Sequence, residues 1–197
     1  MKNVGCFFDY LIDKHGHSIQ ALDYGSKESQ ELKFKMISEA TDFNYKSVLD
    51  IGCGFCDLKD YLDDYFASID YLGVDVSEKV VEKVEKEKME INVLQGTWPM
   101  PIAMHDIIIM NGVLYLYPFR EALKLIEEAW LVTRELLIFD CLSAESLIPD
   151  GKGEYHFDAG KILSFVFLLT PYICLRHDTS KNFFMMHLYR NGKENRR

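Results

Sequence analysis

The residues with the clearest chemical signal follow a short apolar run. The run Val48–Ile51 contains one acid, Asp50, and leads into Gly52-Cys53-Gly54. A buried strand that feeds a glycine turn and then a helix is the cofactor-binding corner of an open α/β sheet. Glycines allow the backbone to turn tightly and to approach a ligand, and the helix directs unpaired N–H groups toward that ligand. The stretch therefore predicts a cofactor site, with Asp50 as an acceptor for a ligand ammonium or hydroxyl.

Asp57 stands where a dinucleotide-binding turn has its third glycine. An acid at the start of the helix would repel a diphosphate, so the pattern favours a ligand without phosphates. The string VLDIGCG at residues 48–54, followed by Asp57, resembles motif I of the class I S-adenosylmethionine-dependent methyltransferases. The resemblance implies S-adenosylmethionine as cofactor, S-adenosylhomocysteine as product, and cofactor contacts from Gly52, Cys53, Gly54 and Asp57.

Further cofactor contacts are expected where the next two strands end. Asp75 and Val76 end the apolar run 69–76, about 20 residues beyond the glycine turn, where an acid accepts hydrogen bonds from ribose hydroxyls. After the third strand, 91–94, the resembled family borders the adenine with a loop. In this chain Gly96 and Thr97 occupy that loop, and the neighbouring Trp98 is expected to pack against the next element.

The fourth strand, 106–110, is a continuous apolar run after one acid, as expected for a strand that is buried on both faces. Asn111 and Gly112 follow it and are predicted to offer backbone contacts to the cofactor. Methyltransferases that act on base amino groups often have Asn-Pro-Pro-Tyr at this place. The departure from that pattern argues against a DNA substrate.

Residues 21–34 resemble the N-terminal lid of some small methyltransferases, which closes over the methionine end of the cofactor. The matching residues are Tyr24, Ser26, Gln30 and Lys33. The family has Trp where Tyr24 stands and Arg where Lys33 stands, and Lys cannot grip a carboxylate bidentately. The alternative is that Tyr24 belongs to the core and Lys33 to the surface, and both readings remain open.

Two residues are the predicted catalytic candidates. In-line methyl transfer mainly requires alignment and exclusion of water, but an alcohol or ammonium acceptor also needs a base. His156 lies in a long loop, 143–157, between two aromatic residues, and Tyr115 follows the fourth strand. His177 is interpreted as structural, and the segment 1–24 as irregular or weakly helical with His15 and His17 solvated.

The order of elements predicts an α/β fold. Strands alternate with helices up to residue 140, which implies a parallel sheet, and runs at 172–179 and 182–190 imply a terminal antiparallel hairpin. The predicted fold is a Rossmann-like seven-stranded sheet, mostly parallel, with helices on both faces. One domain, 1–197, is expected, with a helical lid (1–44), a cofactor-binding half (45–140) and a substrate-side loop, helix and hairpin (141–197).

The C-terminal half resembles a subgroup of small bacterial methyltransferases that has no firm substrate. The resemblance lies in Phe157-Asp158, in Leu175-Arg176-His177-Asp178 and in Leu188-Tyr189-Arg190. It sharpens the expected fold and cofactor but leaves the acceptor open.

Composition limits the partners. The net charge of −9 and the pI near 5.1 argue against nucleic acid. The apolar run 162–175 contains Pro171 and is too short to span a bilayer, and no signal peptide is apparent. No metal is expected, because no second Cys or His pair at ligand spacing follows Cys53 and Cys56. The prediction is a cytoplasmic enzyme, monomer or homodimer, that methylates a small molecule.

Two other functions remain open. A non-catalytic protein that binds S-adenosylmethionine is suggested by Cys56 and by the altered lid residues Tyr24 and Lys33. A dithiol oxidoreductase is suggested by the C-x-x-C pair Cys53 and Cys56 at a strand-to-helix turn.

Overall fold

The computed structural model describes residues 4–146, 153–177 and 180–192. The helices in these ranges are α1 (Val4–His15), α2 (Lys27–Ser38), α3 (Asp57–Asp63), α4 (Glu78–Glu87), α5 (Phe119–Leu131) and α6 (Ala159–Val166), with short 3-10 helices at Ile19–Leu22 and Leu114–Leu116. The strands are β1 (Ser47–Ile51), β2 (Asp70–Asp75), β3 (Asn92–Gln95), β4 (His105–Met110), β5 (Thr133–Leu142), β6 (Ile173–Arg176) and β7 (Phe183–Tyr189). The strand order is β3-β2-β1-β4-β5-β7-β6. The chain divides into two compact units, one ending at Met100 and the other beginning at Pro101.

The first unit is built on parallel strands. β1 pairs with β2 and β2 with β3, so that Asp50 lies beside Gly73 and Asp75 beside Gln95. After Ser47 every residue of β1 is buried, as expected for a strand covered on both faces. α4 buries a stripe of three valines, Val80, Val81 and Val84. The parallel register brings the carboxyl ends of β1 and β2 to one edge of the sheet.

The second unit contains parallel and antiparallel pairs. β4 pairs in parallel with β5, whereas β5 with β7 and β6 with β7 are antiparallel. The predicted terminal hairpin is confirmed, although its first strand is only Ile173–Arg176. Three residues at the centre of β4, Ile107, Ile108 and Ile109, have no exposed surface.

The expectation that residues 1–24 are irregular or weakly helical is wrong for α1, although it holds for the segment 16–24. Val4–His15 is a regular helix of 12 residues. Its apolar residues are only partly buried, so sequence periodicity gave little signal. Contacts remote in sequence hold it to α4: the Ser77 hydroxyl donates to Asp9 at 2.6 Å, and Lys79 pairs with Asp13.

Serine side chains cap two of the helices. Ser26 accepts a hydrogen bond from the Ser29 N–H at 3.2 Å and begins α2, and Ser77 accepts from the Val80 N–H at 3.2 Å and begins α4. None of the helices in the three described ranges combines the length and the apolar character needed to cross a membrane.

Candidate cofactor and active site

One buried carboxylate holds the glycine turn. Asp75 ends β2 and is 8% exposed. Its Oδ2 accepts the Gly54 N–H at 3.0 Å, and its Oδ1 accepts the Ser77 N–H at 2.9 Å. Gly52 and Gly54 have φ of 75° and 54°, in the left-handed region that favours glycine. Asp75 therefore fixes the turn after β1 to the end of β2. A carboxylate has about four acceptor positions, so capacity for ligand hydroxyls remains.

The environment of Asp75 opposes its charge. Burial raises the pKa of this carboxyl, and the hydrogen bonds from the Ser77, Gly54 and Val76 N–H groups partly offset the rise. These N–H groups thus stabilise the charged carboxylate, as bulk water would at the surface.

Asp50 lies deeper than the sequence suggested. It is 2% exposed, and its Oδ2 accepts the Tyr71 hydroxyl at 2.6 Å. Burial raises the pKa of Asp50 to about 7; the Tyr71 hydrogen bond opposes this shift and the charge of Asp75 adds to it. Near neutral pH this carboxyl therefore changes between a hydrogen-bond donor and an acceptor, whereas we expected an ionised acceptor.

The two cysteines of the turn form a buried thiol pair. Cys53 is 8% exposed, Cys56 has no exposed surface, and both are free. A hydrogen bond with the Cys56 thiol, together with burial, raises the pKa of Cys53 well above its ordinary range. Redox-active cysteines have lowered pKa values and access to solvent. These properties argue against the dithiol oxidoreductase.

Gly73 of β2 packs closely against this thiol pair. A Cβ at Gly73 would come within 2.7 Å of the Cys53 sulfur and 3.2 Å of the Cys56 sulfur. We expect Gly73→Ala to lower the free energy of unfolding by about 2 kcal/mol, as overpacking of a core does. Cys53→Ala removes the nearer sulfur, so the double variant Gly73→Ala/Cys53→Ala should recover most of the loss relative to Cys53→Ala alone. Urea denaturation of the four proteins measures this coupling, and strictly additive changes would contradict it.

Residues 17–22 cover the glycine turn. The space where a Gly54 Cβ would stand is filled by the Leu22 side chain, 2.9 Å from that point. The His17 ring packs on Phe55 with 4.2 Å between centroids, and its Nε2 lies 3.7 Å from Asp57. Sequence reasoning missed both contacts, although His17 is exposed as expected. No local pattern marks these contacts, because they join positions more than 30 residues apart.

Asp57 is an ion-paired residue. The Lys88 ammonium lies 3.2 Å from its Oδ1 and also donates to the Phe55 carbonyl at 2.6 Å and to Asp60 at 2.6 Å. Burial alone would lower the pKa of Lys88, but the carboxylates of Asp60 and Asp57 raise it. The repulsion between Asp57 and a diphosphate, on which the sequence argument relied, is therefore weaker than expected.

The predicted lid residues lie on α2 and just before it. Ser26 is used as the cap of α2. Lys33 is 7% exposed, so the surface reading is wrong, and its ammonium lies 5.5 Å from the centre of the half-buried Tyr24 ring. Gln30 is buried, with 5% of its surface exposed.

Gln30 lines a cavity of about 350 Å³ within the first unit. The walls come from residues 17–19, from one face of α2 and from the first turns of α3, including Asp57 and Tyr61. A side-chain amide that lines such a space can both donate and accept hydrogen bonds, so Gln30 is a candidate ligand contact.

The loop after β3 is shaped by backbone contacts. The Gly96 N–H donates to the Asp75 carbonyl at 2.9 Å, and a Cβ on Gly96 would come within 2.8 Å of the Met100 sulfur. Thr97 is exposed and Val76 is half-buried. Trp98 is 7% exposed, which confirms its packing role.

In the second unit, too, a buried carboxylate accepts a hydrogen bond from the N–H of a glycine turn. Gly112 has φ of 71°, and its N–H donates to Oδ1 of Asp140 at 2.6 Å. Asp140 lies in β5 and is 3% exposed. An acid on one strand thus fixes the glycine turn after its parallel neighbour, as Asp75 does for Gly54. The half-buried Asn111 stands beside this turn.

The two catalytic candidates occupy the same corner of the second unit. The Tyr155 N–H donates to the Tyr115 carbonyl at 2.8 Å, and Nδ1 of His156 lies 3.0 Å from the Ser143 carbonyl. A carbonyl only accepts, so Nδ1 carries the hydrogen and Nε2 is the basic nitrogen of the neutral ring. Residues 147–152 of the predicted loop lie outside the described residues.

Part of the sequence matches a known family. Residues 48–135 match the sequence profile of a family described as "Methyltransferase domain". This match begins at β1 and ends at the start of β5, so it includes both glycine turns and Asp75, whereas Asp140 lies beyond it. It confirms the recognition of a class I methyltransferase and the predicted enzyme class; the cofactor of that class is S-adenosylmethionine. No curated protein matches the sequence.

Solved structures confirm the fold class. Magnesium protoporphyrin IX methyltransferase (ChlM) from Synechocystis PCC 6803, with bound SAH, is 16% identical, with a TM-score of 0.71 over 96% of this chain and 95% of that chain. A DhpI-SAH complex is 11% identical, with a TM-score of 0.71 over 97% and 96%. Small RNA methyltransferase HEN1 is 16% identical, with a TM-score of 0.65 over 84% of this chain and 25% of that chain. At such identities the likeness defines the Rossmann-like fold and leaves the acceptor open.

Proposed function

We propose that the protein transfers a methyl group from S-adenosylmethionine to a small-molecule acceptor. The single observation that supports this most strongly is Asp75, a buried carboxylate at the end of β2 whose two oxygens are fixed by the Gly54 and Ser77 N–H groups. A preoriented carboxylate beside a glycine turn suits the two hydroxyls of a ribose.

The chain's polar groups fit this cofactor. Asp75 would accept from the ribose hydroxyls, and Gln30, which lines the cavity of the first unit, would hydrogen-bond the methionine end. The Lys33 ammonium would neutralise the methionine carboxylate. The remaining proposed contacts are the resemblance-based set: Tyr24, Ser26, Asp50, Gly52, Cys53, Gly54, Asp57, Val76, Gly96, Thr97, Asn111 and Gly112.

S-adenosylmethionine supplies, when bound, a methyl group already activated on a sulfonium. The protein's contribution is then alignment, exclusion of water and proton transfer. Nε2 of His156 would take the proton of an acceptor hydroxyl or ammonium, and Tyr115 would help to orient that acceptor. In this proposal residues 1–44 form the lid, 45–140 hold the cofactor and 141–197 face the acceptor, all within one methyltransferase domain of a cytoplasmic protein.

Charge supports a small acceptor over a nucleic acid. The chain has a net charge of −9, and tracking a phosphate backbone requires a basic surface. Two structural neighbours are named for small molecules, the magnesium protoporphyrin IX methyltransferase and a mitomycin 7-O-methyltransferase, MmcR. Another is named for small RNA, so the fold itself does not decide.

The test is transfer of labelled methyl from S-adenosylmethionine in a fractionated cell extract. The proposal expects label in the small-molecule fraction, and less label with His156→Ala, while S-adenosylhomocysteine still binds the variant. Label found only in RNA or protein would overturn the small-molecule acceptor. Cofactor binding without transfer to any fraction would instead favour the non-catalytic binder.

A further inference from the structure

The outer edge of β6 has backbone groups available for pairing. β6 is the last strand in the order, and within the described ranges it pairs only with β7. The Tyr189 N–H donates to the Tyr172 carbonyl at 2.9 Å, so this facing pair is hydrogen-bonded. In an antiparallel ladder, hydrogen-bonded and non-hydrogen-bonded pairs alternate. The N–H and C=O groups of Ile173 and Leu175 therefore point away from β7.

Several side chains of β6 and of the segment just before it are apolar and accessible. Exposed fractions are 55% for Phe167, 82% for Leu168, 46% for Tyr172 and 38% for Leu175. Edge strands of soluble proteins are usually protected by charges, bulges or a covering element. Between Lys161 and Arg176 the sequence has no charged residue.

Charge indicates what covers this edge. The chain has a net charge of −9, so two copies repel each other over most of their surfaces. The uncharged segment 162–175 is a place where identical surfaces can meet without that repulsion. A two-fold contact requires such a self-complementary patch.

We propose that β6 is a self-association surface, on which a second copy of this chain pairs antiparallel with β6 across a two-fold axis at Cys174. In this register Ile173 faces the partner's Leu175, and Leu175 faces the partner's Ile173. Ile173 and Leu175 then each donate their N–H to the facing residue of the partner and accept its N–H at their C=O. A shift toward the N-terminus would bring in Pro171, which has no N–H to donate.

The register makes a specific geometric prediction. Cys174 faces the partner's Cys174 in a non-hydrogen-bonded pair, where Cα atoms are about 4.5 Å apart. A disulfide needs Cα atoms about 4.4–6.8 Å apart. Arg176 faces the partner's Tyr172 on the same side of the ladder, where a cation–π contact forms.

The first test is molar mass by light scattering across a concentration series. Leu175→Lys places a charge in the seam without removing a hydrogen bond to β7, and we expect it to raise the dimer dissociation constant about tenfold or more. Leu131→Lys is the matched control, since Leu131 is 62% exposed at the end of α5. Wild type that remains monomeric, or a dimer that Leu175→Lys leaves intact while the thermal unfolding midpoint is unchanged, overturns the proposal.

The second test fixes the register. In a Cys6→Ser background, Cys174 is the only exposed cysteine among the described residues. Oxidation with diamide should then give a covalent dimer, and adding Cys174→Ser should abolish it. If the protein is dimeric but Cys174 does not cross-link, the two-fold axis is not at this residue and the proposed pairing is wrong.

Discussion

Asp75→Ala should weaken the binding of S-adenosylhomocysteine by about 100-fold or more. Hydrogen bonds to a charged group contribute about 1.5–3 kcal/mol each, and the substitution removes the proposed acceptor of two ribose hydroxyls. It also leaves the Gly54 and Ser77 N–H groups without their carboxylate acceptor, so the hydrogen bonds that hold the glycine turn to the end of β2 are lost. Isothermal titration calorimetry measures the affinity directly.

Asp70→Ala is the matched control for this experiment. Asp70 begins the same strand and is exposed, so its removal should leave the affinity unchanged. Thermal unfolding of both variants shows whether the Asp75 variant is still folded at the titration temperature. A folded Asp75→Ala protein with wild-type affinity would remove this residue from the site.

Asp50 should make the protein less stable as pH rises from about 4 to 7. Burial raises the pKa of Asp50 from 3.8 to about 7. Between these values the folded state binds more protons than the unfolded state, so protonation favours folding. This contribution is fully present below the unfolded pKa and is lost as pH rises through the folded one. The size is up to about 4 kcal/mol, at about 1.4 kcal/mol for each pH unit.

The measurement is urea denaturation at a series of pH values for wild type and Asp50→Asn. The amide can still accept a hydrogen bond from the Tyr71 hydroxyl but does not titrate. The stability of this variant should therefore not fall as pH rises, and above pH 7 the variant should be more stable relative to wild type than it is at low pH. Asp70→Asn, the exposed control, should follow the wild-type curve. Parallel curves for wild type and Asp50→Asn would show that Asp50 ionises normally.

Much of the fold was predictable because it follows from the local periodicity of apolar residues and from the residues that begin and end helices and strands. The apolar run at β4 and the serine caps of α2 and α4 are visible without tertiary information. Asp75 was also predictable, because its distance from the glycine turn follows from the length of one βαβ step.

The misses have a common physical cause. α1 depends on contacts with α4 that are 66 and 68 residues away in sequence, so its own pattern gave little signal. Leu22 and His17 reach the glycine turn through a chain reversal that no spacing rule predicts. The same holds for Asp140, which fixes the Gly112 turn across 28 residues of sequence.

The most direct test of the central claim is calorimetric titration of the wild-type protein with S-adenosylhomocysteine, with NAD in a parallel titration. We expect saturable binding of S-adenosylhomocysteine, with a dissociation constant of about 1 μM to 1 mM, and no heat of binding for NAD. Binding of NAD in place of S-adenosylhomocysteine, or binding of neither, would contradict the assignment of this glycine turn to a methyltransferase cofactor site.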